Sequence, residues 1–351
     1  MNVLKPDLIW VEDRCYRFLG KGDSNEYVSP YMEDNNLDIE DEEEFNDSDI
    51  EITPYQSRKY KHTFHVAKSF FPFIIGSKHS VRKRLEIETR TTIQIPKMGQ
   101  DGDVVIIGCD RKGIVTARRR IDLLIAVTRK RQHSTHFLSI PLNEGHIIMK
   151  FNMFKNSVLT NLGKVSKGID ERIFQTPSKL HLTIGILKLF DDVEREQAIK
   201  ALDYCKEHII KPAIKKYGQI PICLQGIEIM NDDPTETRIL YAKVIDANNA
   251  LQEICDKMVN YYANIGLLEQ ERENVKLHVT LMNSKFKLID KEDTGENETI
   301  KTFDVSDILK AHENTSFGET VLKQIHISQR HTISSNGYYQ ATAKLNLTEN
   351  L

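Results

Sequence analysis

Tryptophan occurs once and cysteine five times in this chain of 351 residues, and no C-x-x-C pair is present. Cys15, Cys109, Cys205, Cys223 and Cys255 are odd in number and scattered. That excludes the disulfide framework of a small secreted scaffold and leaves no thiolate zinc site; the thiols read as reduced, in the cytosol or nucleus. No stretch approaches the roughly 18 consecutive apolar residues of a membrane span. The N-terminus lacks the charged-then-apolar pattern of a secretory leader. No membrane partner is expected. With 40% hydrophobic residues the chain can build real cores, and its length suggests two to three domains.

The net charge of −3 hides a segregation. Between Arg58 and Arg131 there are 18 Lys/Arg and six Asp/Glu, a surplus of +12, so the remainder carries −15. A compact basic block beside an acidic remainder is the electrostatic footprint of nucleic-acid binding, where phosphate neutralisation dominates affinity. From Glu33 to Glu51 eleven residues are acidic and none is basic. Such a tract cannot bury enough surface to offset its ordering entropy, so residues 1–57 are expected to be an acidic, largely disordered region. Upstream, Leu4, Leu8, Ile9, Trp10, Val11, Tyr16 and Phe18 form an apolar island. It suits either a partner-docking segment or a strand laid on the folded body.

The most informative pattern is a repeat. Lys179-Leu180-His181-Leu182-Thr183 returns as Lys276-Leu277-His278-Val279-Thr280, 97 residues later (278 − 181). Strand alternation has period two, so lysine, histidine and threonine share one face and the apolar residues the other. Each copy reads as a strand with its back in a core and its front carrying an imidazole and a hydroxyl. Two such fronts facing each other across a cleft would supply an acid–base pair. One neutral histidine takes a proton from an attacking hydroxyl while the other, as imidazolium, gives one to the leaving oxygen. Thr183 and Thr280 would hold the non-bridging oxygens, where negative charge builds. A duplicated strand kept only for packing needs no imidazole on its polar face. Asp232 and Asp233 precede Pro234 and read as a turn rather than a metal site.

With these motifs the chain resembles the two-histidine phosphoesterases. That family carries one His-x-Thr/Ser motif in each lobe of a bilobal, pseudo-symmetric α+β fold and cuts phosphodiesters without metal. Thr135–Leu142 resembles its opening strand, and Ser316-Phe317-Gly318-Glu319 with Ile325-His326-Ile327-Ser328 its closing segment. The resemblance implies a domain over residues 134–351, no metal or other cofactor, and catalytic roles for His181, Thr183, His278 and Thr280. His136, His326 and His331 lie on or near strands and could line the cleft. Lys179 and Lys276 share the catalytic face: they read as solvated strand-entry residues, with a raised positive potential for a phosphate as the alternative. Helices are expected over 193–210 and 250–265, and a charged loop over 285–301.

The basic block has the order β-α-α-β-β-α. Strands are expected at 61–66, 91–96 and 104–108. A helix–Gly–helix junction lies around Gly76, and a long helix carries Ile114, Ala117, Ile121 and Leu124 on one face with Arg118, Arg119 and Arg120 beside them. Over residues 58–131 this resembles a type I KH domain, whose G-x-x-G loop clamps a short single strand. The loop here is Gly76-Ser77-Lys78-His79, so the second glycine is replaced. Either His79 contacts phosphate or stacks on a base, or the loop has lost its grip. Lys78, Arg82, Lys83 and Arg84 offer phosphate contacts at the following helix N-terminus.

A KH domain followed by a two-histidine phosphoesterase resembles the KH–phosphoesterase subunits of the activating signal cointegrator complex. That resemblance implies a nuclear protein, partnered by helicase-containing complex subunits and by RNA or another single-stranded nucleic acid, acting in coactivation and the response to alkylated nucleic acid. Three readings stay open. The cleft cleaves RNA ends or cyclic or 2′,5′ phosphodiesters; or it only binds nucleotide, as a catalytically silent adaptor; or the acidic arm and KH domain do the work of a regulatory subunit.

Overall fold

The structure, a computed structural model, describes residues 7–11, 14–18, 50–56, 58–97, 99–100, 102–162, 166–270, 272–289 and 302–347. The chain divides into two compact units, residues 1–133 and 134–351.

The first unit opens with a hairpin of β1 (Asp7–Val11) and β2 (Arg14–Phe18), in register from Asp7↔Phe18 to Val11↔Arg14. β3 (Thr53–Tyr55) pairs with β4 (Lys59–Phe64). Helices α1 (Phe71–Ile75) and α2 (Ser80–Thr89), strands β5 (Thr91–Gln94) and β6 (Val104–Gly108), and helix α3 (Arg111–Arg131) follow. The sheet runs β3-β4-β6-β5, antiparallel throughout. This is the expected β-α-α-β-β-α order with one strand added at the edge. Ile114, Ala117 and Ile121 on α3 are fully buried at helical spacing, and Asp110 caps that helix by accepting from the Gly113 N–H at 2.6 Å.

The added strand lies inside the stretch whose composition suggests disorder. Its pairing with β4, and the Glu51 carbonyl accepting from His62 Nδ1 at 2.8 Å, start the ordered sheet before residue 58. The apolar island forms the β1–β2 hairpin, with β1 beside α3, which is the second of its two expected fates. Most of the acidic tract, residues 33–49, lies outside the described residues.

The second unit contains β7 (His136–Pro141), α4 (Gly145–Ser157), β8 (His181–Leu187), α5 (Asp192–Cys205), α6 (Lys211–Tyr217), β9 (Pro221–Ile229), β10 (Ile239–Ile245), α7 (Ala250–Asn264), β11 (His278–Asn283), α8 (Phe286–Ile289), α9 (Ser306–His312), β12 (Ser316–Val321), β13 (Gln324–Ile333) and β14 (Tyr339–Asn346). Its sheet has eight strands in the order β12-β9-β10-β11-β8-β7-β13-β14, and every neighbouring pair is antiparallel. The first four belong to one lobe and the last four to the other. The two repeat strands, β11 and β8, meet in the middle.

One face of this sheet is dry. Leu182, Ile184, Val279 and Leu281 are at most 4% exposed and belong to one continuous core with Leu251, Ile254 and Met258 of α7. Tyr262 of α7 donates to the Ala198 carbonyl of α5 at 2.7 Å, tying the two helices. The helix expected at 193–210 continues to Tyr217 through a wide turn at Lys206–Ile210. Pro212 explains the turn, because it lacks an N–H and its ring clashes with a regular preceding turn. The other face of β8 and β11 is left open.

Candidate functional site

The four residues of the repeated motif come together on that open face. Leu182 and Val279 are the ladder pair that joins β8 to β11. Extending this antiparallel register by one residue each way sets His181 beside Thr280 and Thr183 beside His278. All four are half-buried, while the alternate residues Leu182 and Val279 are buried. The two fronts therefore do not face each other from opposite walls, as the alternation alone suggested. They lie side by side on one sheet, with the histidines on one diagonal and the threonines on the other.

Both imidazoles are anchored alike. His181 Nδ1 lies 2.7 Å from the Lys179 carbonyl and His278 Nδ1 2.6 Å from the Lys276 carbonyl. A carbonyl only accepts, so each Nδ1 carries the proton and each neutral ring leaves Nε2 as a bare acceptor. Neither Nε2, nor the hydroxyl of Thr183 or Thr280, has a hydrogen-bond partner among the described residues.

Aromatic rings fix the imidazole planes. Phe137 lies 5.1 Å from the His181 ring and Tyr339 5.3 Å, the latter edge-on. Tyr241 of β10 stands in the equivalent place, 5.5 Å from His278. Lys179 Nζ sits over the Tyr339 ring at 5.5 Å and Lys276 Nζ over the Tyr241 ring at 4.9 Å. The lysines are therefore more than strand-entry residues: each backbone carbonyl orients a histidine, and each ammonium clamps the tyrosine packed against it. The two tyrosines were missed because they lie on other strands, with only their own alternation as a signal.

Burial pushes His181 down to about 4; the Lys179 carbonyl opposes this, and the neighbouring His278 adds to it. His278 is lowered by burial first, against its bond to the Lys276 carbonyl, and then by the Lys276 and Arg272 charges. Both rings are thus biased toward the neutral form in the unliganded cleft.

Ser139 of β7, in register with Thr183, lies 2.9 Å from Ser328 Oγ and 3.0 Å from the Tyr338 hydroxyl. This dry hydroxyl cluster anchors Tyr338, next in the chain to Tyr339. His326 is buried and pairs through Nε2 with Gln324 at 2.9 Å. His136 is buried between Thr135 at 2.8 Å and Thr342 at 3.1 Å, and His331 is exposed. None of these three joins the quartet. Asp233 accepts from the Thr235 N–H and hydroxyl at 2.8 and 2.7 Å, which closes the turn as expected. Among the described residues no group of three or more His, Cys, Asp or Glu side chains could hold a metal. The charged loop at 285–301 lies mostly outside the described residues.

In the first unit the Gly76–His79 loop bends through Gly76 at φ 72°, Lys78 at φ 49° and His79 at φ 65°. A Cβ at Gly76 would lie 2.5 Å from Val81 Cγ2, so glycine is required there. His79 adopts the left-handed backbone on which a glycine would be favoured. Ser77, Lys78, His79, Lys83 and Arg84 are exposed, whereas Arg82 leans toward Glu86 at 3.9 Å. The α3 arginines are used differently. Arg118 lies 4.0 Å over the Phe64 ring, contacts His62 Nε2 at 2.9 Å and bonds Asp122; Arg120 pairs with Glu88. The basic block is therefore narrower as a surface than as a sequence.

Residues 134–347 match the family described as the AKAP7 2′5′ RNA ligase-like domain, and residues 61–123 match the KH domain. The chain belongs to this two-histidine phosphoesterase family. The mouse activating signal cointegrator 1 complex subunit 1 is 38% identical across 97% of this chain and 98% of its own length. The human A-kinase anchor protein 7 isoform gamma is 24% identical across 63% of this chain and 59% of its own. The E. coli LigT structure complexed with 3′-AMP aligns with a TM-score of 0.35 at 14% identity, over 62% of this chain and all of that one. This member joins a KH domain to the phosphoesterase. No helix among the described residues is long and apolar enough to cross a membrane.

Proposed function

We propose that the second unit is a metal-independent phosphodiesterase acting on RNA ends or on cyclic or 2′,5′ diesters, and that the KH domain delivers the strand to it. The observation that carries this reading is the pair of Nδ1-anchored imidazoles, diagonal to two threonine hydroxyls, with each Nε2 and each hydroxyl free of hydrogen bonds among the described residues.

His181, held lower, is the general base: its Nε2 takes the proton of the attacking water or ribose hydroxyl as the new P–O bond forms. His278 is the general acid. The bound phosphate's negative charge favours its imidazolium, which protonates the departing oxygen as the old P–O bond breaks. Thr183 and Thr280 donate to the non-bridging oxygens. Similarity to the mouse activating signal cointegrator 1 complex subunit 1 supports a place in such a complex; a nuclear role in coactivation and in the response to nucleic-acid alkylation, beside helicase-containing subunits, is part of the proposal.

A panel of labelled oligonucleotides with defined termini, incubated in EDTA, tests the reading. Turnover by the wild-type chain, falling about 10²–10⁴-fold in His181→Ala or His278→Ala with the melting temperature retained, is expected. Binding without turnover on every diester would make the cleft a nucleotide-binding adaptor site instead.

A further inference from the structure

In the second unit Lys155, Lys188, Lys211, Lys257, Lys287 and Lys323 each approach a carboxylate within 4.0 Å. Lys179 and Lys276, like Lys243 and Lys344 elsewhere on the unit, approach none among the described residues, and what sets these two apart is their place beside the His/Thr quartet. Lys179 and Lys276 flank the His/Thr quartet, each over the tyrosine that packs on its own histidine. Arg272 and Lys276 both act on His278.

Their placement follows the pseudo-symmetry. Each lysine precedes its histidine by two residues, and the strands run antiparallel, so Lys179 lies beyond His181 and Lys276 beyond His278 at opposite ends of the diagonal. Each ammonium is seated over a tyrosine ring rather than turned onto the quartet. A lone phosphate held by the quartet would leave both end charges unanswered.

We infer that Lys179 at one end and Lys276 at the other take the two phosphates that flank the scissile one. The substrate class is then a diester with a neighbouring phosphate on each side, within a short single strand, rather than a mononucleoside cyclic phosphate. Tyr339 at the first end is half-buried, whereas Tyr241 at the other is 1% exposed. This inference rests on the diesterase-cleft reading, and its test is a binding measurement so that the two can fail separately.

The full-length chain is titrated with a tetranucleotide containing three phosphates, and with versions in which one flanking phosphate is a neutral methylphosphonate. Lys179→Gln and Lys276→Gln keep the backbone carbonyls that orient the histidines; Lys276→Arg keeps the charge. Each methylphosphonate is expected to weaken wild-type binding about tenfold and the variant on its own side less than twofold, with Lys276→Arg behaving as wild type. All chains in the titration, including the reference with a wild-type cleft, carry Lys83→Gln and Arg84→Gln, so that binding at the KH loop is weakened throughout and the cleft is read. Equal methylphosphonate effects in wild type and both glutamine variants, or none in the wild type, would overturn the inference even if the chain cleaves diesters. Coupling without turnover would sustain the end sites and refute the catalytic reading.

Discussion

Leu182 and Val279 are the ladder pair that joins β8 to β11, and the chemistry of the second unit is arranged around them. Their side chains enter the core at 0% and 1% exposure, which forces His181, Thr183, His278 and Thr280 onto the opposite face. A slip of one residue in either strand would turn a histidine and a threonine into the core together. The apolar pair therefore sets the register on which the polar quartet depends.

The threonines should act in the transition state rather than in binding. Thr183→Val and Thr280→Val keep the shape and β-branching of a strand residue while removing the donor. Each is expected to lower kcat by roughly 10- to 10³-fold with little change in KM. A rise in KM at constant kcat would instead make the hydroxyl a ground-state contact.

The pH profile follows from the two lowered imidazoles. A base must be deprotonated, and His181, held near 4, meets that condition at every pH above its own value. An acid must be protonated, and His278 loses its proton as pH rises through a value below the ordinary 6.5. The kcat/KM maximum is therefore expected on the acid side of neutrality, with activity declining as pH rises. Lys276→Gln removes a charge that disfavours the imidazolium and should move the alkaline limb to higher pH. An unmoved limb would take the acid role away from His278.

Much of this was legible in the residues. The repeat identified both motif strands because alternation states which side chains share a face, whatever the tertiary fold. It could not say that the strands are neighbours, since the pairing of Leu182 with Val279 is a contact between residues 97 positions apart (279 − 182). Tyr241 and Tyr339 stayed invisible for the same reason: nothing local marks a tyrosine as the support of a histidine on another strand. Strand β3 was hidden by the acidic composition that precedes it. Charge counting overstated the basic surface, because Arg118 and Arg120 are held by Asp122 and Glu88.

The KH loop makes two opposite demands on glycine. At Gly76 an added Cβ meets Val81 and the backbone is left-handed, so Gly76→Ala should destabilise the first unit by about 2 kcal/mol. At position 79 histidine already holds a left-handed backbone, and His79→Gly should gain on the order of 0.5–1 kcal/mol. Denaturant unfolding of the full chain, followed by a probe in the first unit, separates them. If His79 itself contacts nucleic acid, the stabilised glycine variant will bind single-stranded RNA more weakly than the wild type. Equal or tighter binding would mean that the loop backbone alone is sufficient.

Salt titration distinguishes arginines that build the fold from cations that meet phosphate. Lys83 and Arg84 are exposed beside the loop, so Lys83→Gln with Arg84→Gln should leave unfolding unchanged. The same pair should reduce the slope of log K against log salt by roughly 1.4, about 0.7 for each phosphate contact on a single strand. Arg118 is instead stacked on Phe64 and bonded to Asp122 inside the unit. Arg118→Gln is expected to cost about 1–3 kcal/mol of stability and to leave the salt slope of the folded protein as it was. Should Arg118→Gln change that slope while Lys83→Gln with Arg84→Gln does not, the nucleic-acid face would lie on α3 and the loop would be only a helix connection.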